Sequence, residues 1–346
     1  MVNALTPFEK DIQEQPDALR RLRENFDASE LNAFASKDWD RIIITGMGSS
    51  YCAGFPTWRA LVSKGSRTWA MDTSELLDTP ELLQGKSLVI ATSQSGESGE
   101  IVRLLEMKRD RKISFDGLIG ITDSQSSTLA RESDVFLPLF SGAEATVSTK
   151  SYLNSLAVHQ WVAAAFTGIE NQVVLGNLDA TVGEVISVLK EVEVDDFCRS
   201  SLEVHKPRVV MIGRYDDAAT SIYSGLVTKE AAKIPAEGFV GGQFRHGPFE
   251  LAGPNLTAIF YESGNGESTN VYQNLIDDLI STGSQVLIVG GNSVEGAQHI
   301  SIKSSSALAR LSGGAVVAQL LALGLGKAND VTPGEFIYGS KVTTLI

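Results

Sequence analysis

The chain has 346 residues, of which 43% are hydrophobic and 21% are charged, and this composition is typical of a globular protein. Its length predicts two domains. The formal net charge of −13 argues against binding to nucleic acid or to an anionic membrane. It does not exclude a small anionic ligand, because backbone N–H groups and helix N-termini can bind an anion locally.

No apolar run in the sequence reaches the roughly 20 residues that a membrane span needs. The N-terminal residues carry no basic segment followed by an apolar core, so no signal peptide is predicted. The two cysteines, Cys52 and Cys198, lack metal-ligand spacing, and lone thiols are typical of a reducing cytoplasm. We therefore expect a cytoplasmic protein that does not bind a membrane.

The first predicted element is an N-terminal helix over residues 8–26. Its apolar residues Ile12, Leu19 and Leu22 recur at helical spacing. Pro16 predicts a break in this helix, and we expect the segment to pack on a domain or on a partner.

A buried strand is predicted at 41–45, and it runs into the turn 46–51, GMGSSY. The first two glycines of this turn fit the start of a dinucleotide-binding fingerprint, but Tyr51 stands where the third glycine should be. A clear ribose-binding acid is also missing, although Asp72 is a candidate. The turn therefore fits a small phosphate ester better than a dinucleotide.

A second strand is predicted at 88–91, followed by the turn 93–98, SQSGES, and by a helix. Free backbone N–H groups and the positive end of the helix dipole collect at such a turn, which makes it a ready site for a phosphate. A serine-rich helix cap without a ligand is the alternative for one such turn. Two turns of this kind on one parallel sheet can converge at its C-terminal edge, where ligands of open α/β sheets bind.

The two halves of the chain have the same pattern. The segments of the first half are matched in order by segments of the second: 41–48 by 208–213, 88–98 by 257–268, 117–122 by 285–290, and 134–137 by 299–302. Helical segments alternate with these strands, which predicts parallel sheets with helices on both faces. We therefore predict an α/β fold of two tandem three-layer α/β/α domains, each with a parallel sheet flanked by helices.

The predicted division of the chain follows from this repeat. Apolar positions at helical spacing over 177–197 predict a helix that connects the halves, and another helix is expected over 222–233. The run 315–325 reads as a buried helix. The expected parts are an N-terminal helical segment at 1–28, a first domain at 29–170, a connecting helix at 171–197 and a second domain at 198–346.

The motifs taken together resemble the SIS (sugar isomerase) family, and the resemblance covers nearly the whole chain. The sequence is similar to the isomerase half of glucosamine-6-phosphate synthase and to the stand-alone deaminases and deglycases related to that enzyme. The motifs that carry the resemblance are EQP at 14–16, GMGSSY at 46–51, SQSGES at 93–98, EATVSTK at 144–150, KE at 229–230 running to RHGP at 245–248, and KVT at 341–343.

The resemblance implies a role for each matching residue. The residues implied to hold a sugar phosphate are Ser49, Ser50, Ser93, Gln94, Ser95 and Ser98. Val147 and Ser148 would lie near the sugar, in a loop one residue shorter than in the synthase. Glu230 would move a proton between C1 and C2, His246 would assist ring opening, and Lys341 would meet the sugar carbonyl. The family supplies this histidine from the neighbouring subunit, which implies a homodimer with a shared active site.

The chemistry of these residue types agrees with the implied roles. Aldose–ketose interconversion needs a base that removes a proton beside a carbonyl and returns it one carbon along, and a carboxylate in a partly dry pocket can do both. Histidine suits proton exchange near neutral pH during ring opening. Neither step needs a metal, and no cluster of metal ligands is evident, so no metal and no cofactor are expected.

The sequence also departs from the synthase pattern. Val227 stands where the synthase carries a lysine, and Gln243 replaces a glutamate before the histidine. A glutaminase domain with its N-terminal cysteine is missing from the sequence. We therefore expect release of ammonia rather than its transfer from glutamine.

The leading prediction is a deaminase and isomerase that converts glucosamine 6-phosphate to fructose 6-phosphate and ammonia. The alternative is a deglycase that cleaves a fructosamine 6-phosphate, such as fructoselysine 6-phosphate. A non-catalytic sugar-phosphate sensor is a third hypothesis, but such regulators usually carry a DNA-binding domain and have no need of Glu230 together with His246.

Overall fold

The computed structural model describes residues 5–264 and 267–344. The strands are β1 (Arg41–Gly46), β2 (Thr68–Asp72), β3 (Ser87–Thr92), β4 (Gly117–Thr122), β5 (Val135–Pro138), β6 (Arg208–Gly213), β7 (Ala236–Val240), β8 (Leu256–Glu262), β9 (Gln285–Gly290) and β10 (Gln298–Ile300). The helices are α1 (Pro7–Gln13), α2 (Gln15–Asn25), α3 (Ser29–Ala35), α4 (Ser49–Ala53), α5 (Phe55–Ser63), α6 (Thr73–Asp78), α7 (Gly99–Arg109), α8 (Thr128–Glu132), α9 (Lys150–Thr167), α10 (Asn171–Glu191), α11 (Asp195–Leu202), α12 (Asp217–Ala232), α13 (Glu267–Ser281) and α14 (Ala307–Ala328). Short 3-10 helices lie at Pro80–Leu83, Gln243–Arg245 and Pro248–Leu251.

The strands form two five-stranded sheets in which every pairing is parallel. The first sheet has the order β2-β1-β3-β4-β5, and the second has the order β10-β9-β8-β6-β7. Read from its β7 edge, the second sheet repeats the strand order of the first. Both orders are those of a doubly wound α/β sheet whose switch point lies beside its first strand, and this parallel α/β architecture confirms the predicted class.

Two compact units contain these sheets. The first-sheet unit consists of Asp17–Glu144, Lys150–Leu178 and the tail Tyr338–Ile346. The second-sheet unit consists of Met1–Pro16, Ala145–Thr149 and Asp179–Ile337. Each unit is thus assembled from segments that are distant in the sequence.

The first-sheet unit has helices on both faces of its sheet. On one face, Ile43, Val89 and Leu118 pack with side chains from α6, α7 and α8 in a continuous apolar cluster. On the other face, α4 contacts β1, and His159 of α9 contacts Thr92 at the end of β3. Alternating residues of each buried strand therefore pack against the helices on the two faces, as expected of a parallel sheet.

The second-sheet unit repeats this layering. Val210, Phe260 and Ile288 pack with side chains of α13 on one face. On the other face, the Tyr261 hydroxyl and the Ser224 Oγ of α12 lie 2.7 Å apart. Helix α14 also contacts α12 closely. The two sheets fit the predicted pair of domains, each with helices above and below its sheet.

The N-terminal helix is broken where the sequence predicts it. Helix α1 ends at Gln13 and α2 begins at Gln15, so Pro16 lies in the first turn of α2, where its missing N–H costs nothing. Phe8 and Ile12 of α1 are buried, and α1 contacts α14. The expectation that this segment packs on a domain is confirmed for α1.

The prediction of one connecting helix is wrong. Helix α10 ends at Glu191 and α11 begins at Asp195. The β-branched Val194 leaves helical geometry at a φ of −126°, and β-branched residues have a lower helix propensity. The apolar residues keep helical spacing across this break, so the sequence pattern over 177–197 did not indicate it.

Two helices in the described part of the chain are long and apolar enough to cross a membrane by length and composition alone. They are α10, whose most apolar window is 33% buried, and α14, whose window is 89% buried. Helix α14 also contains the run 315–325 predicted as a buried helix, and its burial inside the second-sheet unit confirms that prediction. Such burial is typical of the core helix of a globular protein.

Candidate active site

The two serine-bearing turns begin side by side in the first-sheet unit. Strands β1 and β3 are paired in parallel, and Gly46 lies opposite Thr92 at their carboxyl ends. The turns 46–51 and 93–98 therefore start at one edge of the sheet, as the sequence predicts. A side chain on Gly46 would collide with the Thr92 carbonyl oxygen, 2.8 Å from its Cβ position, so the close approach of the turns requires glycine.

Ser49 and Ser50 form the first turn of the short helix α4. Gly48 precedes them with a φ of +54°, a conformation that favours glycine. Both serines are partly exposed. The backbone N–H of Ser50 donates to the Met47 carbonyl oxygen at 3.1 Å, which fixes the backbone of the turn at the sheet edge.

Hydrogen bonds within the second turn fix its shape. The buried Ser93 Oγ accepts from the Gly96 N–H at 3.1 Å and lies 2.9 Å from the Ser98 Oγ. Gly96 has a φ of +67°, which a residue with a side chain rarely adopts. Ser98 is the N-cap of α7, yet its hydroxyl caps no helix N–H group. The turn is thus held by Ser93, and the Ser98 hydroxyl stands at the start of an eleven-residue helix.

Gln94 and Ser95 form the partly exposed part of this turn. The Gln94 carbonyl oxygen accepts from the Asp123 N–H at 3.0 Å and from the Thr122 Oγ at 3.1 Å. The Ser95 Oγ accepts from the Glu97 N–H at 3.2 Å. These contacts tie the turn to the end of β4 and leave the Gln94 side chain and the Ser95 side chain at the surface of a cleft.

The cleft beside this turn has a volume of about 760 Å³. Its size is within the range of small-molecule sites. It is lined by Arg21, Asn25, Gln94, Ser95, Asp123, Ser124, Phe140, Gly142, Ala143, Glu144, Lys341 and Val342. Residues predicted from two distant motifs, at 93–98 and at 341–343, therefore line one cleft of the first-sheet unit.

Lys341 forms an ion pair that the sequence does not predict. Its Nζ lies 2.5 Å from the Glu144 Oε2, and the Glu144 side chain is fully buried while the Lys341 side chain is 21% exposed. The Glu144 carboxylate also accepts from the N–H and the Oγ of Ser151, at 3.1 and 2.7 Å. Two residues beyond Lys341, the Thr343 carbonyl oxygen accepts from the Gly99 N–H of α7 at 3.0 Å.

A second carboxyl group in the cleft is also fixed by hydrogen bonds. Asp123 accepts from the N–H and the Oγ of Ser141, at 3.0 and 2.5 Å. Burial raises the pKa of the Asp123 carboxyl above its ordinary value, and the nearby Glu144 charge adds to this rise, while the bonds from Ser141 oppose it. Glu144 lies in the motif at 144–150, but no role was predicted for it from the sequence, and Asp123 belongs to none of the motifs.

Glu230 belongs to the second-sheet unit. It lies in the last turn of α12 and is partly exposed. Lys233 follows α12 with a left-handed φ of +58°, and its Nζ donates to the Glu230 carbonyl oxygen. Burial lowers the pKa of the Lys233 ammonium, whereas the charges of Glu230 and Glu335 oppose that change. The predicted helix over 222–233 is therefore confirmed, with an amine held beside Glu230.

His246 also belongs to the second-sheet unit and is exposed. It follows the short helix Gln243–Arg245, and its backbone N–H donates to the Gln243 carbonyl oxygen at 3.0 Å. Gly247 comes next with a φ of +114°, which only glycine adopts readily. This turn presents the imidazole at the surface of its unit.

Val147 and Ser148 lie in the short segment that joins the second-sheet unit. Val147 is 1% exposed, so its side chain packs in the core and only its backbone could meet a ligand. The Ser148 carbonyl oxygen accepts from the Tyr223 hydroxyl at 2.6 Å, and that hydroxyl accepts from the Gln319 amide at 3.0 Å. Gln15 donates to the Gln319 Oε1 at 2.7 Å, which links the EQP motif to this segment.

The departures from the synthase pattern have different surroundings. Val227 is fully buried in α12, so an apolar residue suits the core position that it occupies. Gln243 is exposed at the start of its short helix. The substitution of glutamine there changes the charge beside His246 without changing the packing of the core.

Comparison with known proteins agrees with this fold and with these motifs. Residues 37–165 match the SIS domain family, and the match includes all five strands of the first sheet and both serine turns. The glutamine–fructose-6-phosphate aminotransferase (isomerizing) of Shouchella clausii is 28% identical over 294 residues, which cover 81% of this chain and 48% of that protein. The chain spans 26% to 52% of the length of such curated relatives.

Solved structures resemble this chain beyond residues 37–165. The C-terminal domain of a glucosamine-fructose-6-phosphate aminotransferase from Francisella tularensis has a TM-score of 0.83 at 21% identity, over 95% of this chain and 98% of that one. The glucosamine-6-phosphate deaminase from Thermotoga maritima has a TM-score of 0.75 at 22% identity, over 97% of this chain and 99% of that one. At these identities the likeness shows a shared fold.

Proposed function

We propose that this protein is an amino-sugar-phosphate deaminase and isomerase, built from the SIS domain and a second domain of the same kind. The observation that carries the proposal is the cleft in which Gln94 and Ser95 of the serine turn lie with Lys341 of the tail. The motif at 93–98 offers hydroxyl and N–H donors to a phosphate, and Lys341 offers an amine to the sugar. The names of similar proteins, an aminotransferase and a deaminase of sugar phosphates, support this substrate class.

Phosphate binding is assigned to the two turns of the SIS domain. The hydroxyls of Ser50, Ser95 and Ser98 and the amide of Gln94 are neutral donors, and α7 adds the positive end of its dipole. Neutral donors with a helix N-terminus can hold a phosphate in a protein whose net charge is −13. Ser93 is buried and acts by holding Ser98 in place, and Ser49 flanks the site.

The proposed reaction consumes water and releases ammonia. His246 assists opening of the glucosamine 6-phosphate ring to the aldehyde. Glu230 removes the proton from C2, and a proton returns to C1, which leaves an imine at C2. Water adds to this imine carbon and the C–N bond breaks, giving fructose 6-phosphate and ammonia. A partly buried carboxylate is a suitable base for such a transfer, and Lys341 meets the carbonyl oxygen of the open sugar.

The proposal includes a homodimer in the cytoplasm, in which His246 serves the site of the partner subunit. This part rests on the resemblance of the RHGP motif at 245–248 to the family pattern. The exposure of His246 on its own unit is compatible with such a role.

Ammonia release from glucosamine 6-phosphate by the purified protein tests the proposal. We expect release by the natural chain and a loss of about 100-fold or more in Glu230→Gln, because general acid–base catalysis contributes about that much. Glu203→Gln is the matched control, since Glu203 is an exposed carboxylate of the same unit. His246→Asn is compared with His205→Asn, whose imidazole is also exposed.

The same experiment separates the other hypotheses. If the natural chain releases no ammonia but cleaves fructoselysine 6-phosphate to glucose 6-phosphate and lysine, the deglycase hypothesis replaces this proposal. If neither substrate reacts but glucosamine 6-phosphate binds in calorimetry, a sensor is the better account. Equal activity of Glu230→Gln and Glu203→Gln would remove Glu230 from the mechanism.

A further inference from the structure

The carboxylate of Glu144 is fully buried although the residue lines the cleft. Its side chain has no exposed surface, and its Oε2 lies 2.5 Å from the Lys341 Nζ. Burial of a charge is costly unless the charge is paired and hydrogen-bonded. The Glu144 carboxylate meets both conditions, since Ser151 supplies an N–H and a hydroxyl from the first turn of α9.

We propose that Glu144 is a positioning residue that holds the Lys341 ammonium in the cleft beside Gln94 and Ser95. This inference deepens the proposed function and rests on it, because there Lys341 meets the sugar carbonyl. A lysine side chain has many rotamers, and fixing one of them requires a directed partner. A carboxylate already oriented by two donors supplies that direction.

A second contact makes the placement of the tail specific. The Thr343 carbonyl oxygen accepts from the Gly99 N–H at 3.0 Å, at the start of the helix that follows the serine turn. The tail is therefore attached at two points, through the side chain of residue 341 and the backbone of residue 343. Val342 between them lines the cleft. This attachment orients Lys341 toward the turn that is proposed to hold the phosphate.

Chemical labelling of Lys341 tests the contact without any assumption about the reaction. The chain is methylated reductively with formaldehyde, and the labelling rate of each lysine is measured by mass spectrometry. We expect Lys341 to react about tenfold faster in Glu144→Gln, a change that corresponds to about 1.4 kcal/mol. Lys112 is the internal reference, because its ion pair with Asp110 is exposed on both sides.

Asp123→Asn is the matched control for this experiment. Asp123 is a carboxyl of the same cleft, but it accepts its hydrogen bonds from Ser141, whereas Lys341 pairs with Glu144. Lys341 should therefore be labelled at the natural rate in Asp123→Asn. Equal rates at Lys341 in the natural chain and Glu144→Gln would overturn the proposal, and so would equal acceleration in both variants.

A double-mutant cycle covers the case in which Glu144→Gln folds poorly. Lys341→Met leaves the buried carboxylate without its cation, so we expect it to lower the melting temperature in the natural chain. The same change should have little effect in the E144Q background, since interacting residues are non-additive. Additive effects of the two changes would overturn the proposal even if both variants are less stable.

Kinetics on glucosamine 6-phosphate then separate positioning from simple folding. If Glu144 acts through Lys341, Glu144→Gln and Lys341→Met should lower kcat by similar factors, and the double variant should be no worse than Lys341→Met. A larger loss in the double variant would contradict the inference. If the natural chain is inactive on this substrate, the proposed function fails, whereas labelling and the cycle still decide the role of Glu144.

Discussion

The Oγ atoms of Ser93 and Ser98 lie 2.9 Å apart, across the turn between β3 and α7. Ser93 is buried and also accepts from the Gly96 N–H. With Ser93 as the donor in this pair, the hydrogen of the Ser98 hydroxyl remains available to an anion. One serine thus orients the hydroxyl of the other at the N-terminus of a helix, where a phosphate is favoured.

Removal of the Ser98 hydroxyl should weaken binding of a sugar phosphate. We expect Ser98→Ala to raise the dissociation constant about tenfold, because hydrogen bonds to charged groups contribute about 1.5 kcal/mol or more. Isothermal titration with glucosamine 6-phosphate measures this change. Ser98→Thr keeps the hydroxyl and should bind like the natural chain.

Ser126→Ala is the matched control for the Ser98 variant. Ser126 is an exposed serine of the loop after β4, in the same unit. Its hydroxyl lies 3.2 Å from the Ser124 Oγ and belongs to neither serine turn. Unchanged binding in Ser98→Ala, or equal weakening in both variants, would remove Ser98 from the phosphate site.

A side chain at Gly96 should destabilise the turn more than backbone strain alone explains. Gly96→Ala places a Cβ 2.8 Å from the Thr122 Oγ and closer still to Ser127. We expect a loss of about 2 kcal/mol or more in the free energy of unfolding, from strain and overpacking together. Urea denaturation measures this loss.

Gly65→Ala separates the two causes. Gly65 has a similar φ of +83°, but no atom lies within 4 Å of its Cβ position. We expect this variant to lose only about 1 kcal/mol, the cost of the left-handed conformation. If Gly96→Ala is no less stable than Gly65→Ala, the packing of the turn against Thr122 and Ser127 is not a constraint.

The central strands could be predicted from sequence because they are buried on both faces. The runs 42–44 and 88–91 are continuously apolar, which is the signal of a strand inside a parallel sheet. The edge strands β2 and β7 were missed, since their sequences TWAMD and AEGFV lack both continuous and alternating apolarity. Their position is set by pairing with β1 and β6 rather than by their own pattern.

The candidate site could be predicted only where a motif is continuous in the sequence. The turn 93–98 carries its own signal, whereas Glu144 lies 197 positions from Lys341. A pair so distant in the sequence forms only through tertiary folding, and no local pattern predicts it. The burial of Val147 was also not predicted, because its neighbours in the sequence are small or polar and give no apolar pattern.

Asp217 should make the stability of the protein fall as pH rises toward neutrality. Burial raises the pKa of this carboxyl from 3.8 to about 7, with Asp216 and Glu262 adding to the rise and Ser263 opposing it. Between these values the folded state holds a proton that the unfolded state has released. Stabilisation by this group is therefore complete below pH 3.8 and is lost as pH rises to about 7.

Asp217→Asn removes this titration and tests the sign. The melting temperature of the variant relative to the natural chain should rise between pH 5 and pH 7. The asparagine Oδ1 can still accept from the Ser263 N–H, which the aspartate binds at 2.7 Å. Asp277→Asn, at an exposed aspartate of the same unit, is the control and should follow the natural pH dependence. Parallel curves for Asp217→Asn and the natural chain would contradict the assignment.

His159 should have the opposite effect on stability in acid. It is buried in α9, its Nε2 lies 2.9 Å from the Thr92 Oγ, and burial lowers its pKa from 6.5 to about 3. Below pH 6.5 this imidazole is protonated in the unfolded chain, whereas it stays neutral in the folded chain until about pH 3. Stabilisation is therefore complete above pH 6.5 and is lost as pH falls toward 3.

His159→Gln tests this effect because an amide can still bond to Thr92 but does not titrate. The variant should be less stable than the natural chain at pH 8, by about 1 to 2 kcal/mol from altered packing, and the gap should narrow between pH 6.5 and pH 4. His205→Gln changes an exposed histidine and is the control. The difference in stability between this variant and the natural chain should not change with pH. A gap that stays constant for His159→Gln would show that His159 does not titrate differently in the folded and unfolded chains.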